Sequence, residues 1–388
     1  MKIKGSHLSY CTNIHPGESW DETFHALKTH VPSVRDQTTH EQFGIGLRLS
    51  AQAADELLMN DHLSDFSEWL RKENLYVFTM NGFPYGSFHN SRVKEDVHKP
   101  DWFTRERIAY TIQLAEILSQ LLPEGMDGGI STSPISYRFW HENYEDALRA
   151  SVKPLVDVLV RLHEIENETG KYIHIDMEPE PDGMMETTDE FVHFFNDILL
   201  PDGAEEIKKR GYTNAETIIR RHFTLCYDVC HFAVEFEDGV SVIERMQSEG
   251  IVIGKMQISA ALKGNLSGDG DIYYALADFD EPTYLHQAVG RAGELIIRYR
   301  DLNKLLIARP ALEEVRTHFH VPVFLSNYGL LESTQDEIIR VLKKWKDEPF
   351  TNHLEIETYT WNVLPEDMQV EIDGSIAREM EWVINQIQ

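Results

Sequence analysis

The sequence predicts an α/β fold, a (β/α)8 barrel, on three observations. Short strand-like runs alternate with longer helical runs along the whole chain, the pattern of βαβ units around a parallel sheet. The strand-like runs are apolar on one side of their period and polar on the other, where strands covered on both faces normally read as continuous apolar runs. Most of the polar groups so displayed are acids, imidazoles and amides rather than solvated lysines.

Nine runs qualify as strands: 5–11, 43–49, 75–80, 129–132, 172–177, 223–227, 255–259, 318–324 and 354–359. Helical spacing of apolar residues recurs between them over 105–122, 145–168, 188–199, 240–248 and 334–346. Nine is one more than a barrel needs. The run 318–324 is the expected extra strand, because a long insertion (about 260–316) after the seventh strand precedes it. The 388 residues are read as one barrel domain with that insertion, since barrels routinely exceed about 150 residues per domain.

Successive side chains of a strand point to opposite faces. In YIHIDMEPEP, Ile173, Ile175 and Met177 alternate with His174, Asp176 and Glu178. In GKMQIS, Met256 and Ile258 alternate with Lys255 and Gln257, and in HLEIETYTW, Leu354 and Ile356 alternate with Glu355 and Glu357. The second strand carries Gly44, Gly46 and Arg48 between Ile45, Leu47 and Leu49. The polar set must face the barrel axis. Buried carboxylates sharing one lumen repel each other and are costly unless paired or bound to a cation, so a divalent ion is the general solution.

The residues that carry chemistry stand at strand ends. Asp228 and His231 form Asp-x-x-His directly after an apolar run. Glu178 ends its strand before Pro179, while Glu180 and Asp182 are expected as solvated loop acids. Gln257 offers an amide oxygen suited to a hard cation. Glu357 is a candidate ligand, with Glu355 as its support deeper in the lumen. His318 and His320 form a His-x-His with two imidazoles on one face, able to meet zinc, and His320 is the candidate for the site. Asn81 and His89, with Tyr85 between them, lie in a Gly-, Pro- and aromatic-rich segment after the third strand, where barrels place functional loops. Asn81, His89 and Lys255 are the expected substrate contacts beside His231. The donor set suits Zn²⁺ or Mn²⁺, with Mg²⁺ or Co²⁺ also compatible.

Composition excludes several classes. The formal net charge of −29 argues against a nucleic-acid partner, whose phosphates need a basic surface. No run of about 18 apolar residues suggests a membrane span, and the N-terminus carries no secretory pattern. Three widely spaced cysteines, Cys11, Cys226 and Cys230, suit a reducing compartment, so a cytoplasmic location is expected. GxGxxG, GxxxxGK[ST] and GxSxG are all absent.

The order Glu178, Asp228-x-x-His231, Gln257 and Glu357 at successive strand ends resembles the xylose isomerase-like TIM-barrel superfamily of sugar isomerases, ketose 3-epimerases and endonuclease IV-type nucleases. The resemblance implies metal ligands from strands five to eight, here Glu178, Asp228, Gln257 and Glu357. It implies Glu178 and Glu357 as acid and base, and His231 as a substrate contact. Gln257 stands where many epimerases have histidine. Over nearly the whole length, SYCTNIHPGESW, FGIGLRLSAQAA, LYVFTMNGFPYGSFH, VKEDVHKPDW, HIDMEPEP, YDVCHFAVEFED, HFHVPVF and HLEIETYTWNVLP are similar to EboE-type metabolite traffic proteins. That resemblance implies a role in a bacterial gene cluster that moves or processes a prenyl- or indole-type precursor. The partner is then expected to be a small polyol, sugar-like or prenyl-type metabolite. Three activities stay open: a metal-dependent isomerase or epimerase, a metal-assisted hydrolase of the endonuclease IV type, and a non-catalytic metabolite-binding protein.

Overall fold

A computed structural model describes residues 1–38, 42–84, 94–266, 272–360 and 371–388. Eight parallel strands form the barrel wall: Ser6–Tyr10, Phe43–Arg48, Leu75–Asn81, Gly128–Thr132, Ile173–Met177, Phe223–Asp228, Ile253–Ile258 and His353–Ile356. Each pairs with the next in sequence, the eighth pairs with the first, and a parallel bridge between Cys11 and Gly46 brings the first beside the second. A two-residue strand, Lys2–Ile3, pairs antiparallel with the first. Eight of the nine expected strands thus build the wall, seven within a residue or two of the predicted bounds and the eighth ending three residues early at Ile356.

The ninth belongs to a second sheet. Between the seventh and eighth barrel strands the chain leaves to form six further strands: Ala260–Asn265, Ala288–Ala292, Leu295–Tyr299, Glu314–Val321, Asn327–Tyr328 and Leu331–Ser333. The excursion therefore runs to Ser333, beyond the expected end near 316. His318 and His320 lie on the Glu314–Val321 strand. Period-two alternation puts both on one face of it.

The apolar positions of the barrel strands point outward into the helix layer. Leu354, Met256, Ile175 and Ile130 are fully buried there. The expected helix 145–168 divides into Tyr144–Ala150 and Val152–Thr169, and 188–199 begins as Thr188–His193 and widens to π geometry over Phe194–Gly203. None of the described helices is long and apolar enough to cross a membrane.

Inside the wall the polar residues stack in layers. In the middle layer Lys255, fully buried, forms an ion pair with Glu355, and its Nζ also lies 3.3 Å from Asn81 Oδ1 and 3.2 Å from Ser131 Oγ. Asn81 Nδ2 donates to Glu355 Oε1 at 3.1 Å. Burial alone would favour the neutral amine, but Glu355 holds Lys255 protonated. Gly46 is required beside this pair. A Cβ there would meet Glu355 Oε1 and stand 2.8 Å from Tyr10 O.

Candidate metal centre

The C-terminal ends of the barrel strands open into a cavity. Its floor holds Glu178 and Glu357. His318, His320, Gln287 and Tyr284 come from the second sheet and its connections, while Phe83, Val97 and Leu285 supply apolar wall.

Glu178 follows the fifth strand, and its amide donates to Thr132 O at 3.0 Å before Pro179 ends the ladder. Asp228 ends the sixth strand and caps the helix Val229–Val234. Its Oδ1 accepts from the His231 amide at 3.1 Å and from Ser259 Oγ at 2.7 Å. An N-cap carboxylate accepts from a backbone amide of the first helical turn, and that turn carries the His231 side chain at the mouth. Glu357 follows the eighth strand, its Oε1 accepting from Asn13 Nδ2 at 2.9 Å and its Oε2 from Gln257 Nε2.

Ligand atoms of Glu178, Asp228 and Glu357 lie within 4.8 Å of one another, all three residues buried. Glu178 Oε2 and Asp228 Oδ2 have no hydrogen-bond partner among the described residues. Burial, then the Glu357 and Asp228 charges, push the Glu178 carboxyl well above the usual range, and burial with Asp228 raises Glu357. Glu180, which also lines the cavity, rises to about 8 through burial and the Asp228 charge. Buried carboxylates with unpartnered oxygens, whose charges raise the pKa values of Glu178 and Glu357, are a donor set that a divalent cation fits.

Three imidazoles stand beside these acids. His231 Nδ1 faces Pro179 O at 2.9 Å, His320 Nδ1 faces Glu357 O at 2.9 Å, and His318 Nδ1 faces Gln287 Oε1 at 2.9 Å. Gln287 Nε2 donates to Pro181 O, which fixes that amide's orientation. Each partner only accepts, so each Nδ1 carries the proton and each Nε2 keeps a lone pair. The Nε2 atoms of His231 and His318 are 3.0 Å apart, and His320 Nε2 has no partner among the described residues. Burial lowers all three pKa values, His320 to about 4, so the rings are neutral. Asp228, His231 and His320 form a further group with ligand atoms within 4.8 Å.

The structure brings together Glu178, Asp228, Glu357, His231 and His320. It sets Gln257 differently from the expected oxygen ligand, since its amide nitrogen meets Glu357 and its oxygen accepts from the Cys226 thiol. Lys255 and Asn81, expected at the substrate, sit one layer deeper in the interior ion-pair network and do not line the cavity. Both are fully buried, where only mutual pairing satisfies them. His89 and Tyr85 fall outside the described residues. Asp182, expected as solvated, is buried, and Glu180, expected likewise, is mostly covered, with 13% of its side chain exposed. Asn13, Gln287 and Tyr359 were not anticipated. The loop position of Asn13 after the first strand was the available signal for it, and the insertion gave none for Gln287.

No family model matches the chain, and no curated protein matches it. Among solved structures, the IolI protein with a bound zinc atom is similar with a TM-score of 0.50 and 13% identity, covering 98% of each chain. An L-ribulose 3-epimerase is similar with a TM-score of 0.50 and 10% identity, covering 98% of this chain and 94% of that one. The chain has the xylose isomerase-like TIM-barrel fold. Within the xylose isomerase-like barrel, the six-stranded excursion after the seventh strand forms one side of this chain's mouth.

Proposed function

We propose that this chain is a divalent-metal-dependent isomerase or epimerase of a sugar-like or polyol substrate. The observation that carries the proposal is the buried triad Glu178, Asp228 and Glu357, with one oxygen of Glu178 and one of Asp228 left without a hydrogen-bond partner among the described residues. These three residues, with His320, would hold the ion. When bound, the ion polarises a substrate oxygen and stabilises negative charge on it. Zn²⁺ or Mn²⁺ suits the mixed oxygen and imidazole donors, and the solved IolI protein of this fold holds zinc.

Glu178 and Glu357 both line the cavity, and burial with the neighbouring charges raises both carboxyls, Glu357 to about 8, so that each can carry a proton. One removes a proton from the carbon beside the substrate carbonyl and the other returns one. Asn13 and Gln257 each donate to Glu357 and hold its carboxylate in place. Neutral His231 lines the cavity with its unprotonated Nε2 beside that of His318, and would accept from a substrate hydroxyl. Phe83, Val97 and Leu285 on the wall suit a substrate with an apolar portion above a polar head, and hence the finer reading of an EboE-type protein acting on a prenyl- or indole-linked metabolite. The chain is read as one barrel domain with its excursion.

Elemental analysis of protein purified without added metal tests this, with Glu178→Gln, Asp228→Asn and Glu357→Gln beside it. The expected result is a bound Zn or Mn equivalent lost in each variant, and turnover of a ketose or polyol lost with it. Full retention of metal and turnover in Glu178→Gln would sink the reading. Bound metal and a tightly held hydrophobic metabolite without turnover would favour a binding protein.

A second reading, metal-assisted hydrolysis, draws on the facing lone pairs of His231 and His318 at 3.0 Å, which suit a further cation beside the carboxylate triad. Two or more equivalents lost on substituting His231 or His318, with phosphoester cleavage, would favour it. The charge of −29 still speaks against DNA as the substrate.

A further inference from the structure

A second polar cluster lies at the opposite end of the barrel, where the strands begin. Asp127 immediately precedes the fourth strand, His174 is the second residue of the fifth, and His353 opens the eighth. One ligand atom from each lies within 4.8 Å of the others. The two oxygens of Asp127 face different rings: Oδ1 is 3.7 Å from His353 Nε2 and Oδ2 is 4.0 Å from His174 Nε2. Both distances are too long for hydrogen bonds. They approach the ~3.3 Å between neighbouring donors on one zinc ion with bonds of about 2.0–2.2 Å.

Two observations point to a missing partner. His353 is fully buried, and neither of its ring nitrogens has a hydrogen-bond partner among the described residues. His174 Nδ1 is paired with Asp176 Oδ1 at 2.7 Å, and Thr224 Oγ1 also donates to that oxygen. A carboxylate on Nδ1 directs the other ring nitrogen's lone pair outward, the arrangement that orients metal-bound histidines. The wall is cleared around the cluster. A Cβ on Gly129 would stand 2.4 Å from Asp176 Oδ2 and 2.9 Å from His353 Nδ1, and one on Gly254 would stand 2.7 Å from His174 Nδ1.

We propose that Asp127, His174 and His353 form a second divalent-cation site, of the zinc type, at the base of the barrel. Two imidazoles and one carboxylate are three zinc ligands, and Asp127, with 28% of its side chain exposed, supplies the route to solvent. The fifth and eighth strands are not neighbours in the sheet, so the ion ties opposite walls across the lumen. Residues at this end of such barrels serve stability rather than chemistry. Asp176 is the positioning residue, acting through His174.

The test is equilibrium dialysis of the full chain against Zn²⁺, with thermal melts in zinc and in chelator. The variants are Glu178→Gln at the mouth, and Asp127→Asn and Asp176→Asn at the base. Asp127 is partly exposed, so Asp127→Asn threatens the fold less than replacing either buried histidine would. The expected result is one zinc equivalent that persists in Glu178→Gln and is weakened at least about 10-fold in Asp127→Asn, with loss of the zinc-dependent rise in Tm. Asp176→Asn weakens it about 10–100-fold, the usual effect of removing a supporting carboxylate. Unchanged zinc affinity and stoichiometry in Asp127→Asn overturns the proposal, as does loss of all zinc in Glu178→Gln. The cluster is then held by protons or water.

Discussion

Replacing Lys255 with methionine removes the only cation described within the middle layer of the lumen. Glu355 keeps the amide donor of Asn81 at 3.1 Å but loses its charge partner in a fully buried setting. Breaking one side of a buried pair costs about 3–5 kcal/mol. Unfolding entropy of about 2.1 cal/mol/K per residue gives ~0.8 kcal/mol/K for 388 residues, so Tm falls by about 4–6 °C. Replacing both partners with apolar residues, Lys255→Met with Glu355→Leu, recovers most of that loss, because no uncompensated charge remains. Calorimetric melts of wild type, both single variants and the double variant read the cycle. A shift under about 1 °C for Lys255→Met, or a double variant no better than the single, would refute the pairing. Loss of substrate affinity with unchanged Tm would return Lys255 to the expected role of a substrate contact.

Three further outcomes follow from the same geometry. Burial raises the Glu379 carboxyl to about 7, although Thr358 and Val323 donate to it. The folded state therefore binds more protons than the unfolded one between about pH 4.5 and 7, and stability is lost as pH rises through that window. Glu379→Gln should remove roughly 3 kcal/mol of this dependence, measured as denaturant midpoints at pH 4.5 and 8. Gly46→Ala forces a Cβ against Glu355 and should cost about 1–3 kcal/mol by overpacking, read as a lowered Tm. Zn²⁺ or Mn²⁺ at about 100 times its dissociation constant should stabilise the chain by about 2.7 kcal/mol, and Asp228→Asn should abolish the part of that gain that belongs to the mouth.

Sequence pattern made the site legible where local rules govern it. The Asp-x-x-His spacing follows from a strand-end aspartate capping the next helix, and both residues stand where that rule puts them. Period-two alternation correctly separated the lumen face from the helix-facing side in the fifth, seventh and eighth strands. Depth along the barrel axis was not legible. Lys255, Gln257 and Ser259 share one face of one strand end, and only closure of the barrel decides which of them meets Glu355, Glu357 or Asp228. The covering of Glu180 and Asp182 was hidden for a related reason. An acidic loop reads as solvated until another element covers it, and here His98 and Tyr137 pack over it from distant segments. The end of the excursion was missed because its last strands, Asn327–Tyr328 and Leu331–Ser333, are too short to show a period.

The mouth borrows two of its three imidazoles from a sheet that is not part of the barrel wall. His318 reaches the site only after the Glu314–Val321 strand has paired with Ala260–Asn265 and Ala288–Ala292, and Glu357 arrives with the strand that closes the wall. Contacts this distant along the chain form late, because loop closure must precede them. Any cation that needs both walls of the mouth then meets a nearly finished molecule, and its capture marks the end of folding instead of nucleating it.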